Sequence, residues 1–357
     1  MLKYSIKRIL LMIPILLGVI IIVYSISYFM PGDPVQTVLG ATGYTQEQYD
    51  MTAHRLGLDV GLPMQIFNYL KNLVTKGELG VSYYTGRSVM EEVVQRAPIS
   101  IGIGILSSLV LIVISVPIGI ISAVKQNSVL DYCISVLAIV LASVPGFWLA
   151  LEFILLFSLK LRWLPASGLS TWKHYILPVA CNSLGSIAML ARMTRSSMLE
   201  VIRADYVRTA KAKGVKYEVV ITRHALKNAL IPIITVIGAQ FSMIIGGSVI
   251  IENIFSIPGM GSRLVAAISN RDYTMLVGIT VVLSTFTMLM VLLTDLMYAF
   301  VDPRIKAEFE SLNGRRRPVI KPPAPGGPNV AVSGAVTDGV TSGHVSGAGI
   351  GKGGAKP

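Results

Sequence analysis

Long apolar runs alternate along the chain with short polar segments, and most of the runs are of similar length. At a rise of about 1.5 Å per residue, roughly 20 apolar residues cross a hydrocarbon layer about 30 Å thick. Residues 9–29, 98–124, 132–157, 175–194, 229–250 and 274–300 have the length and apolar character for this. The pattern predicts an all-α polytopic membrane protein with about six transmembrane helices. Residues 175–194 are the most diluted, by Asn182, Ser183, Gly185 and Ser186, types that suit a helix packed closely against other helices. Prolines 14, 117, 145, 178 and 232 fall within or at the ends of these runs. An ordinary kink and a gating hinge both stay open at each of them.

The first run follows Lys3, Lys7 and Arg8, as the core of a secretory signal would. It is too long for one, and no small-x-small cleavage site follows, so residues 1–30 are expected to form an uncleaved spanning helix. Residues 31–96 are long enough for an extracytoplasmic subdomain of helices and turns, and a simple covering loop is the competing reading. Residues 97–308 hold the remaining spans, with a long polar loop at 195–228. From about Ser311 the chain changes character, through Arg315-Arg316-Arg317 and Pro322-Pro323-Ala324-Pro325 to a Gly- and Ser-rich end. Residues 309–357 are therefore expected to be a disordered Pro/Gly-rich cytoplasmic tail.

Composition supports lipid as the solvent. With 53% hydrophobic and 14% charged residues and a mean hydropathy of +0.66, a water-soluble fold could not hide the apolar surface. The formal net charge is +12, but the cations flank the apolar runs as membrane topology requires, so nucleic acid is not an expected partner. The 195–228 loop carries Arg195, Arg203, Arg208, Lys211, Lys213, Lys216, Arg223 and Lys227 against Glu200, Asp205 and Glu218. Residues 30–97 hold more acids than bases, and 158–174, with Lys160, Arg162 and Lys173, is a mild exception. Six spans with both termini cytoplasmic is the consistent solution.

Several chemistries find no support. A phosphate-cradling loop needs Gly-x-x-x-x-Gly-Lys-Ser/Thr; Gly351-Lys352 is followed by Gly353 and has Ser346 where the first glycine belongs. The chain is not expected to hydrolyse ATP or to bind a cofactor itself. Cys133 and Cys181 stand alone in apolar surroundings and read as small buried hydrophobes, with no metal site implied. His54, His174, His224 and His344 lie in loops or at interfaces, which leaves an intramembrane enzyme without catalytic groups at depth. An ion-coupled secondary transporter would show inverted repeats and buried acids about a midplane site, and neither is evident.

The most informative polar segment runs from Asp205 to Val215. It reads as a short helix stopped at Gly214 by a left-handed turn, followed by a second helix through His224 to Ala229. Val207, Ala210 and Gly214 at i, i+3 and i+7 form a strip of small residues that another protein's groove could approach, flanked by cations. A cytoplasmic loop without a partner is the bland alternative.

This segment resembles the EAA loop of ABC importer permeases in its peptide-transporter spelling. Arg208 and Thr209 replace the Glu-Ala of the generic pattern, and the proline expected near Lys227 appears at Pro232. The same family is resembled over almost all of residues 1–308. The shared stretches include Pro31-Gly32-Asp33-Pro34, Leu56-Gly57-Leu58-Asp59, Gly77-Glu78-Leu79-Gly80, Ser143-Val144-Pro145-Gly146-Phe147-Trp148 and Trp163-Leu164-Pro165-Ala166-Ser167-Gly168. Further along come Phe255-Ser256-Ile257-Pro258-Gly259-Met260-Gly261, Arg271-Asp272-Tyr273 and Asp302-Pro303-Arg304.

The resemblance implies the B-type transmembrane subunit of a bacterial inner-membrane importer of the dipeptide/oligopeptide class, with a type I ABC importer transmembrane-domain fold. It places an ATPase-coupling helix at Arg203, Asp205, Tyr206, Val207, Arg208, Ala210, Lys211, Lys213 and Gly214. It also implies partners: two ABC ATPase subunits or one homodimer carrying ATP and Mg, a homologous second permease, and an extracytoplasmic solute-binding protein. Nickel, glutathione or another small solute are alternative cargoes on the same architecture.

From the residues themselves, Glu252, Phe255, Pro258, Gly259 and Gly261 could form a turn beside the pathway, an outer gate, since irregular backbone at membrane depth survives only beside protein or water. A simple interfacial connection is the competing view. Glu152 and Asp295 are the acids within spans, and structural pairing is the expectation for both.

Overall fold

A computed structural model describes residues 2–40 and 43–301. Asp302, Pro303, Arg304 and the expected tail lie outside the described residues. The long helices are α1 (Leu2–Phe29), α5 (Val89–Val124), α8 (Lys173–Ile202), α11 (Leu226–Ile254) and α13 (Tyr273–Val301). Five helices are long and apolar enough to cross a membrane, or six if a bent pair counts as one span. Among the described residues the only β pairing is an isolated bridge between Val81 and Ser88.

Several helices overrun the apolar stretches that predict them. The second span starts at Val89, nine residues before the apolar run, so the last residues of the 31–96 segment are already its first turns. The fifth span is unbroken from Tyr217 to Ile254, so the separate helix expected up to Ala229 is instead its amphipathic base. A π-helical stretch, Val220–Ala225, sits in that base and lets it change phase without stopping.

The third span departs most from expectation. Helix α6 (Val129–Ser143) and helix α7 (Gly146–Phe153), which continues into a π-helical turn to Lys160, meet at 100°. Pro145 has no N–H to continue α6, and Val144 before it is extended at φ −89° and ψ 128°, as a residue preceding proline prefers. Pro14, Pro98, Pro117, Pro178 and Pro232 all lie inside continuing helices. Pro145 alone among the span prolines coincides with a break.

The bent pair still goes from one end of the bundle to the other. Asp131, in the first turn of α6, is bonded to Arg195 near the end of α8. Past the pair, the Gly168 N–H donates to the Phe255 carbonyl at the end of α11. Since α8 and α11 finish at opposite ends, six segments cross. Arg8 near the start of α1 and Asp295 near the end of α13 approach to 3.2 Å, which puts both described termini at the same end.

Three apolar clusters hold the bundle. The first joins α1, α12 (Met260–Ser269) and α13 to α4 (Leu62–Lys76), through residues such as Ile20, Tyr69 and Met275. The second, with Leu111, Leu190, Met198 and Ile233, lies toward the Arg195 end. The third, with Ile103, Leu177, Phe255 and Ile257, lies toward the opposite end. Before the second span, α2 (Pro34–Leu39), α3 (Gln46–Leu56) and α4 form a helical cap. Asp33 caps α2, and Thr45 with Gln48 makes a reciprocal capping box on α3.

Candidate functional site

Helix α9 (Asp205–Ala212) projects between α8 and the base of α11. It ends as its sequence predicts. Gly214 has φ +76°, its N–H donates to the Lys211 carbonyl, and the Val215 N–H donates to the Ala210 carbonyl. That is the paired 5→2 and 6→1 termination for which a left-handed residue is required. No atom lies near the place a Gly214 Cβ would occupy, so the glycine is there for its conformation and not for close approach.

The strip of Val207, Ala210 and Gly214 expected to face a partner is split. Val207 is fully buried within the chain and anchors α9 on the π-helical base of α11. Ala210 is half-buried, while Asp205, Tyr206, Arg208, Thr209, Lys211 and Lys213 are exposed. The correction has a simple cause: on an eight-residue amphipathic helix the one large apolar side chain goes to the core, and the charged arc remains outside. The Tyr206 hydroxyl accepts from the Asn228 amide at 2.9 Å. The Lys211 ammonium lies 4.8 Å from the Tyr217 ring centre, within cation–π range. Arg203 reaches Gln126 in the α5–α6 turn at 3.4 Å.

Sequence reasoning missed what holds this end. Arg195 donates from Nε and Nη2 to the two Asp131 oxygens at 2.6 and 2.7 Å. The buried carboxylate also accepts from the Ser122 hydroxyl at 2.5 Å and the Asn127 N–H at 3.0 Å. A bidentate pair so well satisfied ties α5, α6 and α8 together about two turns before the end of α8. The partners are 64 residues apart, and no local spacing announces them.

At the opposite end, Glu252, Phe255, Gly259 and Gly261 are buried inside the chain, and Pro258 is exposed. Four of the five candidate gate residues therefore line no open surface of this chain; they build the turn from α11 into α12. The Glu252 carboxylate accepts from the N–H groups of Gly261 (2.7 Å) and Ser262 (3.3 Å), and Ser100 accepts from Met260 N–H at 2.8 Å. Together they satisfy the first turn of α12, which has no cap of its own. A Cβ on Gly261 would stand 2.5 Å from the Val249 backbone, so the approach of the two helices needs glycine there.

Two further buried clusters sit at this end. Glu92 meets Arg96 at 2.9 Å, Arg263 at 3.5 Å and Arg87 at 3.6 Å. Asp272 is wholly buried; it accepts from the Ser82 hydroxyl and from the N–H groups of Tyr83 (3.0 Å) and Met275 (3.3 Å). Asp272 thereby staples the 82–88 loop to the start of α13. Of the acids within spans, Asp295 meets Arg8 as expected. Glu152 makes no ion pair or hydrogen bond among the described residues, against the pairing expected of it.

The helical cap encloses two polar grooves. One, of about 900 Å³, is walled by Arg55, Gln65, Asn68, Tyr69, Lys71 and Tyr83 among others. The other, of about 540 Å³, runs beside Asp33, Tyr49, His54 and Asp59. Burial pushes the Tyr83 phenol up to about 12. On the rim, His54 Nδ1 lies 2.7 Å from Asp59, which raises the imidazole pKa and lowers that of the carboxyl.

Comparison with known proteins accounts for this architecture. Residues 115–307 match the model for "Binding-protein-dependent transport system inner membrane component", and residues 1–104 match that for the N-terminal part of such membrane components. The dipeptide transport system permease protein DppB of Alkalihalophilus pseudofirmus is 42% identical over 86% of this chain and 100% of its own length. The glutathione transport system permease protein GsiC of Pectobacterium atrosepticum is 38% identical over 86% of this chain and 99% of its own. Among solved structures, the inward-facing MetNI methionine ABC transporter superposes with a TM-score of 0.53, over 60% of this chain and 97% of that one. At 18% identity that likeness speaks for the fold alone, the type I ABC importer transmembrane domain. The chain therefore belongs to the family of binding-protein-dependent transport system inner membrane components, and is a multi-pass permease subunit of an ABC importer.

Proposed function

We propose that this chain, with a homologous second permease, forms the pathway for di- and oligopeptides delivered by an extracytoplasmic solute-binding protein. The observation that carries the mechanism is α9: a short helix held to the bundle by one buried valine, with its cationic arc outward. ABC ATPases, holding ATP and Mg, dock on that arc. Their closure moves α9, and through the Asp131–Arg195 tie it moves α5, α6 and α8. Nucleotide must favour one access state over the other for the motion to be driven.

Orientation follows from charge. The end bearing α9 holds the basic 195–228 loop and is cytoplasmic, with both described termini; the helical cap and its grooves face outward to receive the binding protein. Peptide cargo rests on the dipeptide permease relative, and the glutathione permease relative points to the same chemistry, since glutathione is itself a peptide.

The test is charge reversal on the exposed arc. Arg208→Glu with Lys213→Glu touches no buried contact, so the chain should still insert and fold. ATPase co-purification and ATP-dependent peptide uptake should each fall about tenfold or more, as expected when several interfacial charges are opposed. Uptake and assembly at wild-type levels would reject α9 as the docking element.

A further inference from the structure

The elbow of the bent span opens a cavity of about 400 Å³ between the α6–α7 junction, α8 and α11. Its walls come from the elbow, Ala142 to Leu149, from the middle of α8, Cys181 to Met189, and from the second half of α11, Gln240 to Ile251. It thus reaches from the middle of the bundle toward the cap end, at a depth where a lipid-facing surface should be apolar.

Its walls are largely apolar, but three polar side chains interrupt them, Asn182, Ser186 and Gln240. Gln240 is only 6% exposed and lines the cavity, yet its carboxamide makes no hydrogen bond among the described residues. Ser186 also lines it without a hydrogen bond. By contrast Ser108, Ser115 and Ser183 in the same bundle all return their hydroxyls to the carbonyl four residues back. Asn182 uses its amide nitrogen on Ser107 and the Ile244 carbonyl, both at 3.3 Å, leaving its oxygen without a donor among the described residues. The polar atoms of the Gln240 carboxamide are not sealed off, and with no partner from the chain they are satisfied only by what enters the cavity. Placed at that depth beside an interrupted helix, they point to a ligand or to water.

We propose that this cavity is the peptide-contacting wall of the pathway, and that Gln240, Ser186 and Asn182 hydrogen-bond the amide groups of the cargo. This rests on the peptide-import reading above. No acidic or basic side chain lines the cavity, so charge on the cargo's side chains goes unread. What every peptide shares is an N–H and a C=O, and a carboxamide supplies the complement of both. Met189 and Met243, the latter 72% exposed, give the wall an adaptable apolar part that accommodates varied side chains. Substrate is released because these are neutral, single hydrogen bonds rather than ion pairs.

The experiment uses the whole importer in proteoliposomes, with saturating binding protein, and measures uptake of alanyl-alanine and of its depsipeptide, in which an ester replaces the amide. The unmodified importer should move the amide faster, by up to about tenfold for one hydrogen bond. Gln240→Leu should lower amide uptake to the ester's rate, with the complex still assembled. Ser186→Phe, which fills the cavity beside Gly185, where a Cβ would meet nothing, should slow both substrates. An unchanged amide-to-ester ratio in Gln240→Leu overturns the proposal. Loss of the second permease from that variant also overturns it, by showing the cavity to be a subunit contact. An unmodified importer that carries neither substrate, but carries another solute, overturns the peptide reading instead.

Discussion

The two ends of the bundle are built on different terms. At the end carrying the helical cap, Asp272, Glu252 and the Glu92–Arg96–Arg263 cluster bury their charges among backbone donors and one another. Two of them join elements far apart in the chain: Asp272 meets Ser82 across 190 residues, and Glu92 on α5 meets Arg263 on α12. At the opposite end one buried tie, Asp131–Arg195, stops short of α9, and beyond it the helix is held by Val207 and a few exposed polar contacts. The first arrangement resists displacement, because moving it leaves buried donors unpaired. The second allows it, because what α9 loses on moving is quickly replaced by water. The proposed function, with solute received at the cap end and force at the α9 end, would use both.

Removing the Asp272 carboxylate should show the contrast at its largest. Asp272→Ala leaves three donors without their acceptor, and at about 1–3 kcal/mol for each buried one the thermal unfolding of the purified chain should shift strongly downward. Asp272→Asn should retain much of the stability. If the alanine variant melted with the wild type, the cap end would not be the rigid one.

Arg195→Ala is next. It strands a buried Asp131, and discounting the usual penalty for breaking a buried pair, since about a quarter of Arg195 remains exposed, leaves about 2–3 kcal/mol. Arg195→Lys should recover only part of this, since an ammonium cannot span both carboxylate oxygens. The coupling scheme further requires that ATP hydrolysis continue in both variants while uptake falls; loss of the two in proportion would mean that the tie merely stabilises.

Gly214→Ala sharpens the other side. With nothing near the added methyl, its cost is the left-handed backbone alone, about 1 kcal/mol. Amide exchange should accelerate in α9 and its turn, with the global melting temperature nearly unchanged.

The smallest effect is that of the exposed His54–Asp59 pair. The raised pKa of His54 means that its contribution is full below the ordinary value of 6.5 and fades as pH rises through the raised one. The lowered pKa of Asp59 means that its share is present above the ordinary 3.8 and fades as pH falls through the lowered one. The contact should therefore hold between those limits and loosen as pH rises through the raised histidine value or falls through the lowered aspartate value. A histidine-selective NMR titration should show the His54 ring titrating above 6.5, and Asp59→Asn should bring it back.

The number of spans, their order, the turn at Gly214 and the cationic character of the 195–228 loop were all legible in the residues. Each depends on local chemistry: the length of an apolar run, a residue able to adopt positive φ, a count of lysines and arginines. The expected facing of Val207 was not, because a strip of small residues looks the same whether it meets a partner or its own bundle. The roles of Glu252, Asp131 and Asp272 were likewise hidden, since their partners lie 9 to 190 residues away, and an acid in the chain does not say which distant backbone it will satisfy. So it is with the cavity at the elbow: Gly146 after the proline, Asn182 and Gln240 stand in the sequence as three unrelated irregularities in apolar runs. Only the packing of the elbow against α8 and α11 brings them to one wall, because in lipid the choice of neighbour is made by shape and by unsatisfied polar groups rather than by hydrophobicity, which every helix there shares.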